Sequence, residues 1–135
     1  MQKKRDVMME FNLKIGISST LETIVTENET AAKYGSGDLY VFATPAMIAL
    51  MENASRSCVG LHLPCGFTTV GIEVNVKHIK STPVGMKVRC KSVLTAVEGK
   101  RLYFKVEAFD EQGKIGEGIH IRYIVNSEEF MKKHV

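Results

Sequence analysis

The chain has 135 residues, of which 44% are hydrophobic and 24% charged, enough apolar content for one compact core and too much for a disordered protein. Its longest unbroken apolar run, Ala46 to Met51, is far short of the ~20 residues that span a bilayer, so no membrane helix is expected and the protein reads as soluble. The net charge of +3 names no partner by itself, but its distribution is uneven: from Lys77 to Arg101 seven basic residues face one acid, Glu98. Such a stripe suits a phosphate-bearing partner, or forms the solvated face of two strands.

The basic start MQKKRD is followed by alternating polar positions rather than an apolar segment, so no secretory signal is expected. Residues 1–8 read as a loose tail, with Met8 or Met9 as an alternative start, and residues 9–135 as one domain. Phe11, Leu13, Ile15 and Ile17 alternate with Asn12, Lys14 and Gly16, the period of a strand with one buried face, and LETIVTENE repeats the tendency more weakly. YGSGD is a loop. In FATPAMIALMENA, Thr44 reads as an N-cap and Pro45 as the first helical residue, opening a helix that runs to Ser57 or Leu61. Its first two turns are apolar all round, which implies a surrounded helix.

The remainder reads as four strands. TVGIEVNVKHI places Ile72, Val74, Val76 and His78 on one face; Met86, Val88, Cys90 and Leu94 alternate with Lys87, Arg89 and Lys91; RLYFKVEAF and IGEGIHIRYIV follow. The short turns STPVG, VEGKR and DEQGK imply an antiparallel meander, and Gly116 and Gly118 a bulge or a close backbone approach. The expected fold is therefore α+β, an antiparallel sheet wrapped around one long central helix.

Cys58, Cys65 and Cys90 are odd in number and include no CxxC pair, which argues for reduced thiols in the cytoplasm. Cys58, His62 and Cys65 lack a fourth ligand nearby, so no metal is expected. Three residues stand out against an apolar background: Thr44 before the helix, Glu52 within it, and His78 where a fourth apolar residue of its strand was due. Singly, they read as a cap, a carboxylate reaching water and a core histidine. Together on elements facing one interior, a hydroxyl, a carboxylate and an imidazole are the side chains of acyl transfer.

The order ATP…E on the helix, VGIEVNVKHIKSTPVG on the next strand and SVLTAVEGKRLYFKVEAFDEQGKIGEGIHIRYIV thereafter resembles the hot dog fold thioesterases related to fluoroacetyl-CoA thioesterase, over residues 9 to 130. The resemblance implies a hot dog fold and an acyl-CoA thioesterase acting on a short or medium acyl-CoA. Thr44, Glu52 and His78 then stand at the family's catalytic Thr, Glu and His, Gly71 at its substrate-contacting glycine, and Arg122 at its last-strand arginine. It implies no cofactor, coenzyme A being part of the substrate, no nucleic-acid or membrane partner, and a homodimer or higher homo-oligomer. The alternatives are a hot dog protein that binds an acyl-CoA without hydrolysing it, and a basic nucleic-acid binder, the latter poorly served by a chain without tryptophan. One departure stands out. The family's two lid phenylalanines fall near Ser36 and Asp38 in YGSGDLYVFATP, a segment whose only candidates for a lid are Tyr34 and Tyr40.

Overall fold

The computed structural model describes residues 11–134, so the tail expected over residues 1–8 lies outside the described residues. Five antiparallel strands form one sheet in the order β1-β3-β4-β5-β2: β1 (Ser18–Ile24), β2 (Phe67–His78), β3 (Lys87–Glu98), β4 (Arg101–Asp110) and β5 (Gly113–Asn126). One four-residue helix, α1 (Ala31–Tyr34), precedes the long α2 (Thr44–Gly60), and α3 (Ser127–Lys132) ends the described chain. This is the α+β hot dog arrangement, with α2 packed against one face of the sheet.

Alternation builds that face. In β3 and β4, Val88, Cys90, Leu94, Leu102, Phe104 and Val106 are fully buried, while Lys87, Arg89, Lys91 and Lys105 point to solvent. Met47, Met51, Ala54 and Val59 of α2 complete the same cluster. Each large side chain buried there contributes about 1.5–3 kcal/mol of transfer free energy. The polar residues at the contact are paired, Ser55 Oγ lying 2.8 Å from Ser92 Oγ and 2.9 Å from the Met51 carbonyl that accepts from it. Small satisfied hydroxyls let helix and sheet approach closely.

Four expectations need correcting. The first strand is not residues 11–17 but β1, the weaker of the two patterns: Gly16 has φ 100°, a turn conformation that breaks the alternation, although Phe11, Leu13 and Ile17 still pack on the core. The meander holds only for β3-β4-β5. The connection after β2 is no hairpin; it carries the chain past the sheet end, with Phe42 N–H donating to the Thr82 carbonyl at 2.8 Å, and leaves β2 paired with β5 at the opposite edge. Thr44 is not the N-cap, a place taken by Ala43; Thr44 is the first helical residue. Finally, α2 is not surrounded: Ala49, Asn53 and Arg56 are exposed, and the helix covers the sheet on one side only.

The glycines of β5 mark both: the register with β4 shifts at Gly116, and β2 approaches closely at Gly118. A Cβ on Gly118 would collide with the Asn75 carbonyl oxygen and Val76 Cα of β2. β2 is thus drawn tightly to β5 on one side while its other edge, among the described residues, pairs with no strand.

Candidate active site

Because Ala43 occupies the cap position with extended backbone, the Thr44 hydroxyl is free of capping, and its Oγ1 lies 2.8 Å from His78 Nδ1 at the end of β2. The other ring nitrogen of His78, Nε2, is buried and is the one buried side-chain polar atom among the described residues without a hydrogen-bond partner. Burial pushes the imidazole below its ordinary range, opposed in part by the Lys80 backbone, so His78 is neutral near pH 7. With the proton on Nδ1, donated to Thr44, Nε2 presents a lone pair. The pair lies in a cleft of about 330 Å³ that Ser36, Val41 and Ile79 also line.

Glu52 sits eight residues further along α2, about 12 Å up the helix axis. Its side chain is 42% exposed, so it is neither sunk in the core nor free in solvent. Gly71 of β2 lies directly beneath it: a Cβ on Gly71 would fall 2.8 Å from Glu52 Oε2, 3.2 Å from His120 Cε1 and 3.3 Å from Arg122 Nη1. The strand bulges here, its register with β5 shifting between Gly71 and Glu73. Only glycine lets backbone and carboxylate meet so closely.

Arg122 Nη1 stands 3.8 Å from Glu52 Oε2, an attraction between charges longer than a hydrogen bond. The guanidinium is held from below, Nε donating to Thr69 Oγ1 at 2.7 Å and Nη2 to the Thr69 carbonyl at 2.9 Å. Burial lowers its pKa while Glu52 raises it, and an arginine so placed remains charged. Arg122 is 8% exposed and stands beside the carboxylate, away from the outward-facing lysines. His120, on the same face two residues earlier, completes the group, and the sequence reading missed it. The signal lay in GIHIRYI, where polar side chains stand at two successive inward positions of a strand.

The five expected residues thus come together as two groups on one chain, Thr44 with His78 and Glu52 with Gly71 and Arg122, rather than as one triad. One group can move a proton; the other offers a carboxylate beside a cation and a backbone that a reacting atom can approach. The cysteines stand apart from both: Cys58 is buried and donates to the Ile17 carbonyl, with its thiol raised by burial, and Cys65 is exposed.

Known proteins share this architecture. A family model described as fluoroacetyl-CoA-specific thioesterase matches residues 25–128. The fluoroacetyl-CoA thioesterase of Streptantibioticus cattleyicolor is 38% identical over 93 residues, covering 69% of this chain and 67% of that protein. A crystal structure of a mutant fluoroacetyl-CoA-specific thioesterase with fluoroacetate and CoA superposes with a TM-score of 0.82 at 31% identity, over 87% of this chain and 99% of that one. A thioesterase superfamily member from Thermus thermophilus gives 0.84 at 30% identity, over 94% and 93%.

Proposed function

The chain belongs to the fluoroacetyl-CoA-specific thioesterase family, and from that membership we propose that it hydrolyses short or medium acyl-CoA esters to the free acid and coenzyme A. It is a thioester hydrolase of the hot dog type. The observation that carries the catalytic reading is the stacking of the Glu52 carboxylate over Gly71 at a bulge, next to a fixed arginine.

The working unit in this reading is a homodimer paired through the free edge of β2. That edge exposes Ile72 and Val74, and long unpaired apolar edges are normally covered. Pairing two copies of β2 antiparallel about a two-fold axis near the middle of the strand brings the Gly71 end of one copy alongside His78 of the partner subunit, because antiparallel neighbours run in opposite directions. The Thr44–His78 pair of one subunit then meets the Glu52 group of the other, and two half-sites become two whole ones.

The nearness of Oε2 to the Gly71 backbone fits direct attack, since a carbonyl held by that backbone would stand within reach of the carboxylate. Glu52 attacks the thioester carbon, and the oxyanion of the tetrahedral intermediate is met by the bulge backbone and by Arg122. Collapse breaks the carbon–sulfur bond, leaving an acyl–Glu52 anhydride and a thiolate that takes its proton from solvent or from the imidazolium formed in the water step that follows. Water, deprotonated by His78 Nε2, then attacks the acyl carbonyl and releases the acid. Thr44 holds the imidazole. No cofactor enters this scheme, because coenzyme A arrives and leaves as part of the substrate.

The acyl preference follows from the segment above the Thr44–His78 cleft. Ser36 and Asp38 are exposed, and so are Tyr34, Leu39 and Tyr40. A polar, glycine-bearing segment supplies little of the apolar contact that closes over a small acyl group. The fit is to an open entrance and a broader substrate range. Free cysteines fit a cytoplasmic protein, and among the described residues no helix is long and apolar enough to cross a membrane.

Thiol release from acetyl-, butyryl-, octanoyl- and phenylacetyl-CoA tests the activity, with turnover of the shorter esters expected and no release from any of them overturning it. Light scattering tests the assembly, a monomer at micromolar concentration counting against it.

A further inference from the structure

We propose that His120 is a positioning residue for this site: it aims Arg122 at Glu52 and ties that arginine to the bulge at Gly71. The inference rests on the thioesterase reading above.

His120 is 1% exposed, and both of its ring nitrogens are engaged. Nδ1 lies 2.7 Å from the carbonyl oxygen of Glu73, the residue that closes the bulge, and Nε2 lies 3.2 Å from Arg122 Nη1. A carbonyl only accepts and a guanidinium only donates, so the ring proton sits on Nδ1 and the Nε2 lone pair receives the Arg122 proton. A second proton would have to be placed on Nε2, pointing at Nη1–H. Burial and the Arg122 charge push the imidazole down in the same direction, against the Glu73 carbonyl and Glu52. His120 is thus a neutral acceptor in the resting site, and acid–base work falls to His78.

The geometry shows what that acceptor does. Thr69 anchors Nε and Nη2, leaving Nη1 as the nitrogen that faces Glu52. Among the described residues, His120 is the hydrogen-bond partner of Nη1. The imidazole is itself fixed by Phe104, whose ring centroid lies 6.4 Å away at an interplanar angle of 32°. Without it, Arg122 keeps its charge but loses its aim, and the Glu73 carbonyl loses the donor that holds the bulge beneath Glu52.

Two conservative variants separate the ring's two bonds. In His120→Gln the amide oxygen stands near the place of Nε2 and still accepts from Arg122; in His120→Asn the amide reaches only the place of Nδ1. The expected result is a kcat about threefold to tenfold lower for Gln, which keeps the Arg122 bond but gives up the Glu73 one, and about tenfold to hundredfold lower for Asn, which loses the bond to Arg122, with KM nearly unchanged in both, as misplacement of a charged group demands. ¹⁵N NMR of the imidazoles provides a readout independent of turnover. His120 should be the neutral Nδ1–H form at pH 6.5, where an ordinary histidine is half protonated, and should change shift in Arg122→Met. Equal losses in Gln and Asn that track their melting temperatures, or an Nε2–H tautomer, would overturn the assignment. Failure of wild-type protein to hydrolyse any acyl-CoA would instead sink the enzymatic reading, with the NMR result still deciding whether His120 directs Arg122.

Discussion

The cleft at the start of α2 and the one two turns further along are built in opposite ways. At the first, a single hydrogen bond joins two side chains, and His78 keeps one nitrogen without a partner. At the second, Arg122 alone has four polar contacts to three residues, and strand β5 contributes two successive inward residues beside one carboxylate. A group that must gain and lose a proton needs a free nitrogen and few restraints, whereas a carboxylate and an oxyanion site need fixed charge and fixed backbone. The difference in rigidity therefore matches the division of labour proposed for the two half-sites.

Separating the halves gives the largest expected effect. Glu52→Gln and His78→Ala should each lower turnover at least about a hundredfold while remaining folded, the lower range for losing a group that does the chemistry. If the site is shared between subunits, unfolding and refolding the two inactive variants together restores activity. Half of the dimers are then mixed and carry one intact site of two, so about one quarter of wild-type activity is expected. Recovery no greater than the sum of the parent variants would place both residues in the same subunit's site.

Next in size is Gly71→Ala. The added methyl would lie 2.8 Å from Glu52 Oε2 and close to both His120 and Arg122, so the carboxylate must move before the protein can accept it. A loss of roughly tenfold to hundredfold in kcat is expected, with far-UV circular dichroism unchanged. The same substitution at Gly118, which faces the β2 backbone, should act on folding instead, and a melting temperature insensitive to Gly118→Ala would contradict the tight β2–β5 approach.

Much of this site was legible because chemistry-bearing side chains interrupted apolar patterns. Thr44, Glu52 and His78 were each out of place in a helix or strand, and β3, β4 and β5 announced themselves through alternation and short turns. The position of β2 was not legible: its local pattern is the same whichever strand it pairs with, and the choice of β5 depends on a connection that runs across the molecule. Nor was the division of the triad, since spacing along a helix says that Thr44 and Glu52 share a face but not that different ends of one strand serve them. The cap was misread for a related reason. Thr44 has the right type, but the helix begins one residue earlier than expected, at Thr44 itself with the buried Ala43 as its cap, and the hydroxyl is turned to His78.

That misreading changes what Thr44→Ala should do. An N-cap hydroxyl removed costs about 1 kcal/mol, but Ala43 is the cap and makes no side-chain bond, so the melting temperature should barely move. The effect belongs to His78, whose ring loses the partner that fixes its orientation. A fall in kcat of about tenfold is expected, with the pH profile keeping its position. Burial, not Thr44, lowers the imidazole below its ordinary range and keeps His78 neutral under conditions that would protonate an exposed one. Serine at this position should restore the rate, and a variant that loses stability while keeping its rate would return Thr44 to a capping role.

The smallest effect expected is a discrimination, and it tests the segment above the first cleft. The relatives are named for fluoroacetyl-CoA, and selecting that ester over acetyl-CoA requires a wall that senses one fluorine. Here the wall would have to come from residues 34–40, where Tyr34, Leu39 and Tyr40 are 48%, 68% and 59% exposed and Ser36 and Asp38 stand between them. Side chains that remain mostly in water contribute little contact to a bound acyl group, and contacts of that size discriminate by about 1–3 kcal/mol at most. The ratio of kcat/KM for fluoroacetyl-CoA over acetyl-CoA is therefore expected within about tenfold, or ~1.4 kcal/mol. Replacing Asp38 with Phe should raise the ratio if an apolar cover is what the segment lacks. A wild-type ratio of several orders of magnitude would mean that selectivity arises at the Glu52 end, where the fixed arginine and bulge would then be sensing the fluorine through the charge that develops on the carbonyl rather than through the size of the acyl group.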